Sequence, residues 1–195
     1  MVKICGITNR DDARAASDAG AGGLGFNFYR GSPRFIEPER AAEMAEGLAA
    51  VKIGVFVNEA PARVREICAR AGMDVAQLHG GEAPVGMKIW RACRVPATGE
   101  FTFPDGEEAE AFLLDTASEE LAGGTGTSFP WTAARAHGGR RVVIAGGLHA
   151  GNVRQAIEQA RPWGVDACSR IEASPGRKDR FKMTEFIQAA LAARL

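Results

Sequence analysis

Cys5 closes the apolar stretch Val2-Lys3-Ile4 and is followed by Gly6, and Asp115 closes Phe112-Leu113-Leu114 in the same way. A thiol and a carboxyl that each emerge from buried chain can move protons to and from a substrate. A thiolate can take a proton from carbon, but free cysteine titrates near ~8.5, so Cys5 would need a positive neighbour or a cationic intermediate. The competing role for Cys5 is that of a small buried hydrophobe. Burial at an apolar rim would raise Asp115 toward the near-neutral pKa of a general acid, and its competing role is a helix cap or turn former.

A second group of residues is suited to anions. Ala145-Gly146-Gly147-Leu148 precedes His149, Ala150, Gly151 and Asn152, and Asn152 is read as a helix cap. Paired glycines let backbone N–H groups approach a phosphate, although Gly-Gly before a helix is also an ordinary tight turn. Ser169, Arg170 and Glu172, ahead of Ser174-Pro175-Gly176-Arg177-Lys178-Asp179, add a hydroxyl and positive charge. Arg34, in Gly31-Ser32-Pro33-Arg34-Phe35, has the fork that pairs bidentately with a carboxylate, or it is a solvated surface arginine. Gln77 and His79 end another apolar run, where a histidine serves structure as readily as catalysis. Gly123-Gly124-Thr125-Gly126 has the composition of a mobile flap or a plain flexible connection.

These residues need elements to bring them together. Apolar runs fall at 2–5, 23–28, 52–57, 75–78, 89–93, 112–114, 142–145 and 165–168, which are read as eight strands. Helical spacing of apolar residues is clearest at 11–19, 39–48, 62–71, 152–160 and 183–195, with Thr8 or Asn9 placed to cap the first helix. The segments 80–87 and 96–107 are too short or too rich in Gly and Pro for full helices and are read as reduced crossovers. Alternation of this kind predicts α/β architecture with a parallel sheet. Eight strands favour closure into a (β/α)8 TIM barrel over an open doubly wound sheet. In such a barrel every strand delivers its carboxyl end, and so the residues above, to one face.

Composition sets the outer bounds. The 195 residues, 46% hydrophobic and 25% charged with 24 glycines, suit one globular domain over 1–195, near the short end for this barrel. Twenty-four basic residues balance twenty-four acidic ones, so no overall field draws the chain to nucleic acid or an anionic membrane. No run approaches ~18 apolar residues, and the expectation is a cytoplasmic protein. Cysteines 5, 68, 93 and 168 lack metal-site spacing, which argues against zinc and structural disulfides.

Taken together, the stretches Lys3-Ile4-Cys5-Gly6-Ile7-Thr8, Gly25-Phe26 with Ser32-Pro33-Arg34, Gly54-Val55-Phe56-Val57, Gln77-Leu78-His79-Gly80, Leu114-Asp115-Thr116 with Gly123-Gly124-Thr125-Gly126, Ala145-Gly146-Gly147-Leu148 and Gly176-Arg177-Lys178-Asp179 resemble the phosphoribosylanthranilate isomerase family. The resemblance spans nearly the whole chain. It implies an Amadori rearrangement in tryptophan biosynthesis without cofactor or metal, on a small sugar-phosphate substrate. Within it Asp115 corresponds to the acid and Cys5 to the base. Arg34 corresponds to the anthranilate carboxylate site, with Gln77, His79, Asp166 and Gly126 as further substrate contacts. Gly146, Gly147 and Ser169 correspond to the phosphate cradle, joined by Arg170. Arg170 stands where the family usually has glycine; it would bring strain if that position needs a positive φ, or a charge-assisted bond to phosphate if it does not. Ser128 and Pro130 stand where Lys and Asp are more usual. Two other functions fit the same pattern: a related histidine-pathway sugar isomerase, which generally pairs two aspartates, and a non-catalytic sugar-phosphate binder. Monomer and homodimer are both compatible with the sequence.

Overall fold

Side chains on a strand alternate between two faces, so a strand buried on both sides needs apolar residues at both parities. The computed structural model describes residues 1–104, 109–116, 129–136 and 138–193. In it the apolar runs become β1 (Val2–Ile4), β2 (Gly23–Asn27), β3 (Val51–Val57), β4 (Val75–His79), β5 (Ile89–Val95), β6 (Ala111–Thr116), β7 (Val142–Ile144) and β8 (Gly164–Ala167). They pair in chain order into one closed barrel. The seam is parallel, with Val2, Lys3 and Ile4 opposite Val165, Asp166 and Ala167. Closure excludes the open doubly wound sheet.

Two apolar layers follow from the alternation. Ile53, Val75, Trp90, Ala111, Leu113, Val143 and Ala145 form one cluster, which fills the barrel. Their neighbours in the chain, among them Ala76, Ile89, Phe112, Leu114, Val142 and Ile144, pack outward with the helices. Continuing the inward parity toward the carboxyl ends places Cys5, Gln77, His79, Asp115, Asp166 and Cys168 around one mouth.

The helices are α1 (Arg10–Asp18), α2 (Pro38–Ala45), α3 (Pro61–Ala71), α4 (Val153–Ala160) and α5 (Arg180–Ala192). Asn9 is the cap of α1, its side chain accepting from the Asp12 N–H. Proline opens α2 and α3, where its missing N–H costs nothing. No helix lies at 80–87, and none among the described residues of 96–107, as the reduced crossovers predicted.

Several boundaries depart from the sequence reading. The second helix ends at Ala45 rather than residue 48, because Gly47 already has a left-handed φ of 75°. The last helix begins at Arg180 rather than 183, because Asp179 caps it by accepting from the N–H groups of Phe181 and Lys182. Asp115 does not terminate its strand: β5 runs to Val95 and holds β6 in register through Thr116. Asn152 makes no side-chain cap bond. It folds back instead, accepting from the His149 N–H at 2.8 Å and donating to the Gly147 carbonyl at 3.1 Å. The stretch after β8, read as a loop, contains a hairpin of β9 (Glu172–Ser174) and β10 (Arg177–Lys178) turning through Pro175-Gly176.

Candidate active site

The mouth is organised around a buried ion pair. Lys3 Nζ lies 2.9 Å from Asp166 Oδ1, with side chains 0% and 9% exposed. Cys5, one inward step above Lys3, neighbours Cys168, one inward step above Asp166, across the seam where the Cys5 N–H bonds the Ala167 carbonyl at 2.9 Å. The Cys168 thiol beside it lowers the Cys5 thiol to about 7 against the opposing effect of burial, assisted by the charges of Lys3 and Lys178. Cys168, whose S–H faces Glu172 Oε1 at 4.0 Å, is pushed well above its ordinary value, first by the neighbouring Cys5 and then by burial. Gly25 is required beside them, since a Cβ there would come within 2.9 Å of Cys5 Sγ.

Asp115 stands three strands away around the barrel, on β6. Burial raises its carboxyl to about 6, and the neighbouring Asp166 charge adds to the rise. The loop after β7 packs directly on it: at Gly146, with φ +87°, a Cβ would meet Asp115 Oδ1 at 2.9 Å and would clash with Thr116 Oγ1. The N–H groups of Gly146 and Gly147 find no acceptor among the described residues, and the space at Gly147 is open. Ser169 and Arg170 lie exposed in the 3-10 turn that follows β8, the strand next to β7. Arg170 is not among the residues of positive φ, so the strain considered from sequence does not arise.

Arg34 reaches across Gly6 and forms a bidentate pair with Glu172, Nε at 2.8 Å and Nη2 at 2.7 Å. The same Glu172 accepts from Lys178 Nζ at 2.9 Å. The guanidinium that sequence offered to a substrate carboxylate is therefore aimed by a protein carboxylate and keeps its remaining donors. On β4, Gln77 and His79 are paired at 2.8 Å, and burial pushes the imidazole down to about 4, so it is neutral at ordinary pH. Gln77 Oε1 is buried without a partner. Gly126, the rest of the expected flap and Ser128 lie outside the described residues.

The structure thus brings Cys5, Asp115, Arg34, Gln77, His79, Asp166, Gly146, Gly147, Ser169 and Arg170 to one end of the barrel. Sequence reading left out Lys3, Cys168 and Lys178. Lys3 carried a signal, a lone charge inside an apolar strand, which inward parity would have paired with Asp166. Cys168 could have been found only by knowing that its strand closes on that of Cys5.

Fold and site define a (β/α)8-barrel with a thiol and a carboxyl, shifted toward each other in proton affinity, at the carboxyl ends of its strands. The family model described as N-(5'phosphoribosyl)anthranilate (PRA) isomerase matches residues 2–189, and the chain belongs to that family. It is 52% identical to the N-(5'-phosphoribosyl)anthranilate isomerase of Solibacter usitatus over 197 residues, 99% of this chain and 98% of that one. Its fold matches the phosphoribosyl anthranilate isomerase of Thermus thermophilus with a TM-score of 0.83 at 35% identity, covering 99% of each chain. It also matches a phosphoribosyl anthranilate isomerase in complex with reduced 1-(o-carboxyphenylamino)-1-deoxyribulose 5-phosphate, with a TM-score of 0.78 at 32% identity and 98% of each chain.

Proposed function

We propose that residues 1–195 form one catalytic domain that rearranges N-(5'-phosphoribosyl)anthranilate to 1-(2-carboxyphenylamino)-1-deoxyribulose 5-phosphate, with Asp115 as general acid and Cys5 as general base. Family membership supports the reaction. The assignment of roles rests on one observation: the carboxyl raised to about 6 and the thiol lowered to about 7 share a mouth. Ordinary groups would stand several units further apart in the same order, with the carboxyl ionised and the thiol neutral at pH 7; here the two are drawn together, so the form with neutral carboxyl and thiolate becomes accessible.

Neutral Asp115 gives its proton to the ribose ring oxygen as the C1′–O bond breaks and the anthranilate nitrogen lone pair forms an iminium. The Cys5 thiolate then takes the C2′ proton. The C2′–H electrons become the C1′–C2′ double bond, the iminium nitrogen regains its pair, and the resulting enolamine tautomerises to the ketone. The iminium draws electrons from C2′, so a base of modest strength suffices. Arg34, aimed by Glu172, binds the anthranilate carboxylate, while Gln77, His79, Asp166 and Gly126 contact the rest of the substrate. The N–H groups of Gly146 and Gly147, with Ser169 and Arg170, bind the phosphate.

The test is the decay of substrate fluorescence with the purified protein, corrected for spontaneous breakdown. Wild type should turn over, and Cys5→Ser and Asp115→Asn should each lose about 10²–10⁴-fold in kcat. Absence of decay above background in wild type would reject the isomerase and favour a sugar-phosphate binder. Because Arg170 contacts phosphate without backbone strain in this reading, Arg170→Gly should raise KM about tenfold, the loss of one charge-assisted bond, and leave kcat nearly unchanged. An improved KM would show that the guanidinium obstructs the site.

A further inference from the structure

The pair that aims Arg34 works against the ligand it awaits. A carboxylate approaching an arginine already matched by Glu172 meets a pair of no net charge, and Glu172 repels it from nearly the direction in which Arg34 attracts it. A third charge stands at this point. Lys178 Nζ lies 2.9 Å from Glu172 Oε1, the same oxygen that takes Arg34 Nε at 2.8 Å. The side chains are graded inward, with Arg34 21%, Glu172 5% and Lys178 0% exposed. Two cations therefore share one anion, and the cluster keeps one positive charge in excess.

Lys178 is anchored independently of the pair it completes. Its backbone N–H bonds Asp12 Oδ2 at 2.8 Å, and its ammonium also donates to the Cys168 carbonyl at 3.2 Å. The turn before it is tied down by the bond from Thr8 Oγ1 to the Gly176 carbonyl. Burial opposes the charge of Glu172, but the bonds to Arg34 and Lys178 outweigh it and hold the carboxyl below its ordinary range, so all three groups are ionised.

We infer that Lys178 is a positioning residue for carboxylate specificity: acting through Glu172, it leaves the Arg34 guanidinium aimed yet uncompensated, so that the site selects an arylamino sugar phosphate bearing a ring carboxylate over one without it. The inference deepens the isomerase reading and rests on it for the identity of the ligand. Two demands conflict at Arg34. Holding the fork rigid takes two parallel bonds, which a carboxylate supplies, and attracting an anion takes a net positive charge, which that carboxylate removes. Lys178 resolves the conflict by neutralising Glu172 from the interior. Because the ammonium is sealed from solvent, salt screens it little. A buried cluster of this kind is a poor device for stability alone, since apolar side chains of similar volume would serve as well.

The test is equilibrium binding rather than turnover, because Lys178 also favours the Cys5 thiolate and its loss would disturb the chemistry. Two ligands would be titrated by calorimetry: reduced 1-(o-carboxyphenylamino)-1-deoxyribulose 5-phosphate, and its counterpart made from aniline, which lacks the carboxylate. Wild type should bind the first at least about tenfold more tightly. In Lys178→Met the two affinities should fall within about threefold of each other, while the aniline ligand binds as it does to wild type. The double variant Lys178→Met/Glu172→Gln removes one charge of each sign and restores the excess, so its preference should return to within about threefold of wild type. A merely structural Lys178 could not be rescued in this way. A preference retained in Lys178→Met overturns the inference, and so does a loss that persists in the double variant. Lys178→Gln, which also removes the charge, gives the same comparison if Lys178→Met does not fold. Failure of wild type to bind the reduced product would reject the isomerase reading along with the inference, whereas tight binding with no change among the variants would reject the role of Lys178 alone.

Discussion

At the scale of single residues, the acid and base have proton affinities that nearly coincide, and this has a kinetic signature. With Asp115 at about 6 and Cys5 at about 7, the state holding one proton between them exists mostly as carboxylate and thiol. The productive form, carboxylic acid and thiolate, is roughly a tenth as abundant. The rate should then follow a bell centred near pH 6.5, falling on the acid side as Cys5 gains its proton and on the alkaline side as Asp115 loses its own. The limbs can be assigned with Asp115→Asn, whose residual rate should climb through about pH 7 with Cys5 ionisation and then level, because no acid remains to be lost. A residual profile that still falls above pH 7 would place the alkaline limb on another group. Arg34 supplies a different lesson at this scale. Its bidentate pair with Glu172 occupies two donors of the fork, so the guanidinium is already ordered before a substrate carboxylate reaches it and less entropy is lost on binding.

At the scale of elements, the site depends on contacts between segments far apart in the chain. Asp12, buried in the first turn of α1, accepts from the Asn9 amide at 2.6 Å and from the Lys178 N–H at 2.8 Å, tying the cap of α1 to the β9–β10 hairpin. Asp12→Ala would leave that N–H buried without an acceptor, and should cost about 2–3 kcal/mol with loss of activity as Lys178 loosens from Glu172 and Cys168. Asp11→Ala, one residue earlier and exposed, should change stability by less than about 0.5 kcal/mol. A urea titration reading the midpoint at constant slope separates the two. Equal, small effects would show that the hairpin is held by other contacts. The same contrast explains what sequence could and could not reveal. The strands were legible because both their faces are apolar, and the residues at their carboxyl ends, such as Cys5, Asp115 and the Gly146-Gly147 turn, inherit the site from the barrel rule. The hairpin was not, because Glu172, Ala173 and Ser174 carry no apolar period. It forms because Lys178 finds partners in Asp12, Glu172 and Cys168, and long-range polar pairing leaves no local pattern. Asn152 misled for a related reason: it occupies a cap position, but the carbonyl of Gly147 and the N–H of His149 compete successfully for its amide.

At the scale of the whole molecule, the barrel closes where its first strand meets its last, and the buried contact at that seam is ionic rather than apolar. Lys3 and Asp166 lie 163 residues apart in sequence and 2.9 Å apart in space, beneath both thiols. Removing one member strands a buried charge and should cost about 3–5 kcal/mol, so Lys3→Met and Asp166→Leu are each expected to unfold at much lower urea. Removing both takes away the desolvation cost together with the attraction, and the double variant Lys3→Met/Asp166→Leu should recover to within about 1–2 kcal/mol of wild type. If stability were the purpose of the pair, an apolar seam like that made by Val2, Ile4, Val165 and Ala167 on the other face would serve as well. Chemistry requires the charge: Lys3 favours the Cys5 thiolate, and Asp166 helps keep Asp115 protonated. The double variant is therefore expected to be folded and to have lost at least about 10²-fold in kcat, with the pH dependence of its Cys5 alkylation displaced upward. Retained turnover in a folded double variant would reduce the pair to a seam contact. Failure of the double variant to recover stability would instead show that the closing strands need this ion pair to find their register.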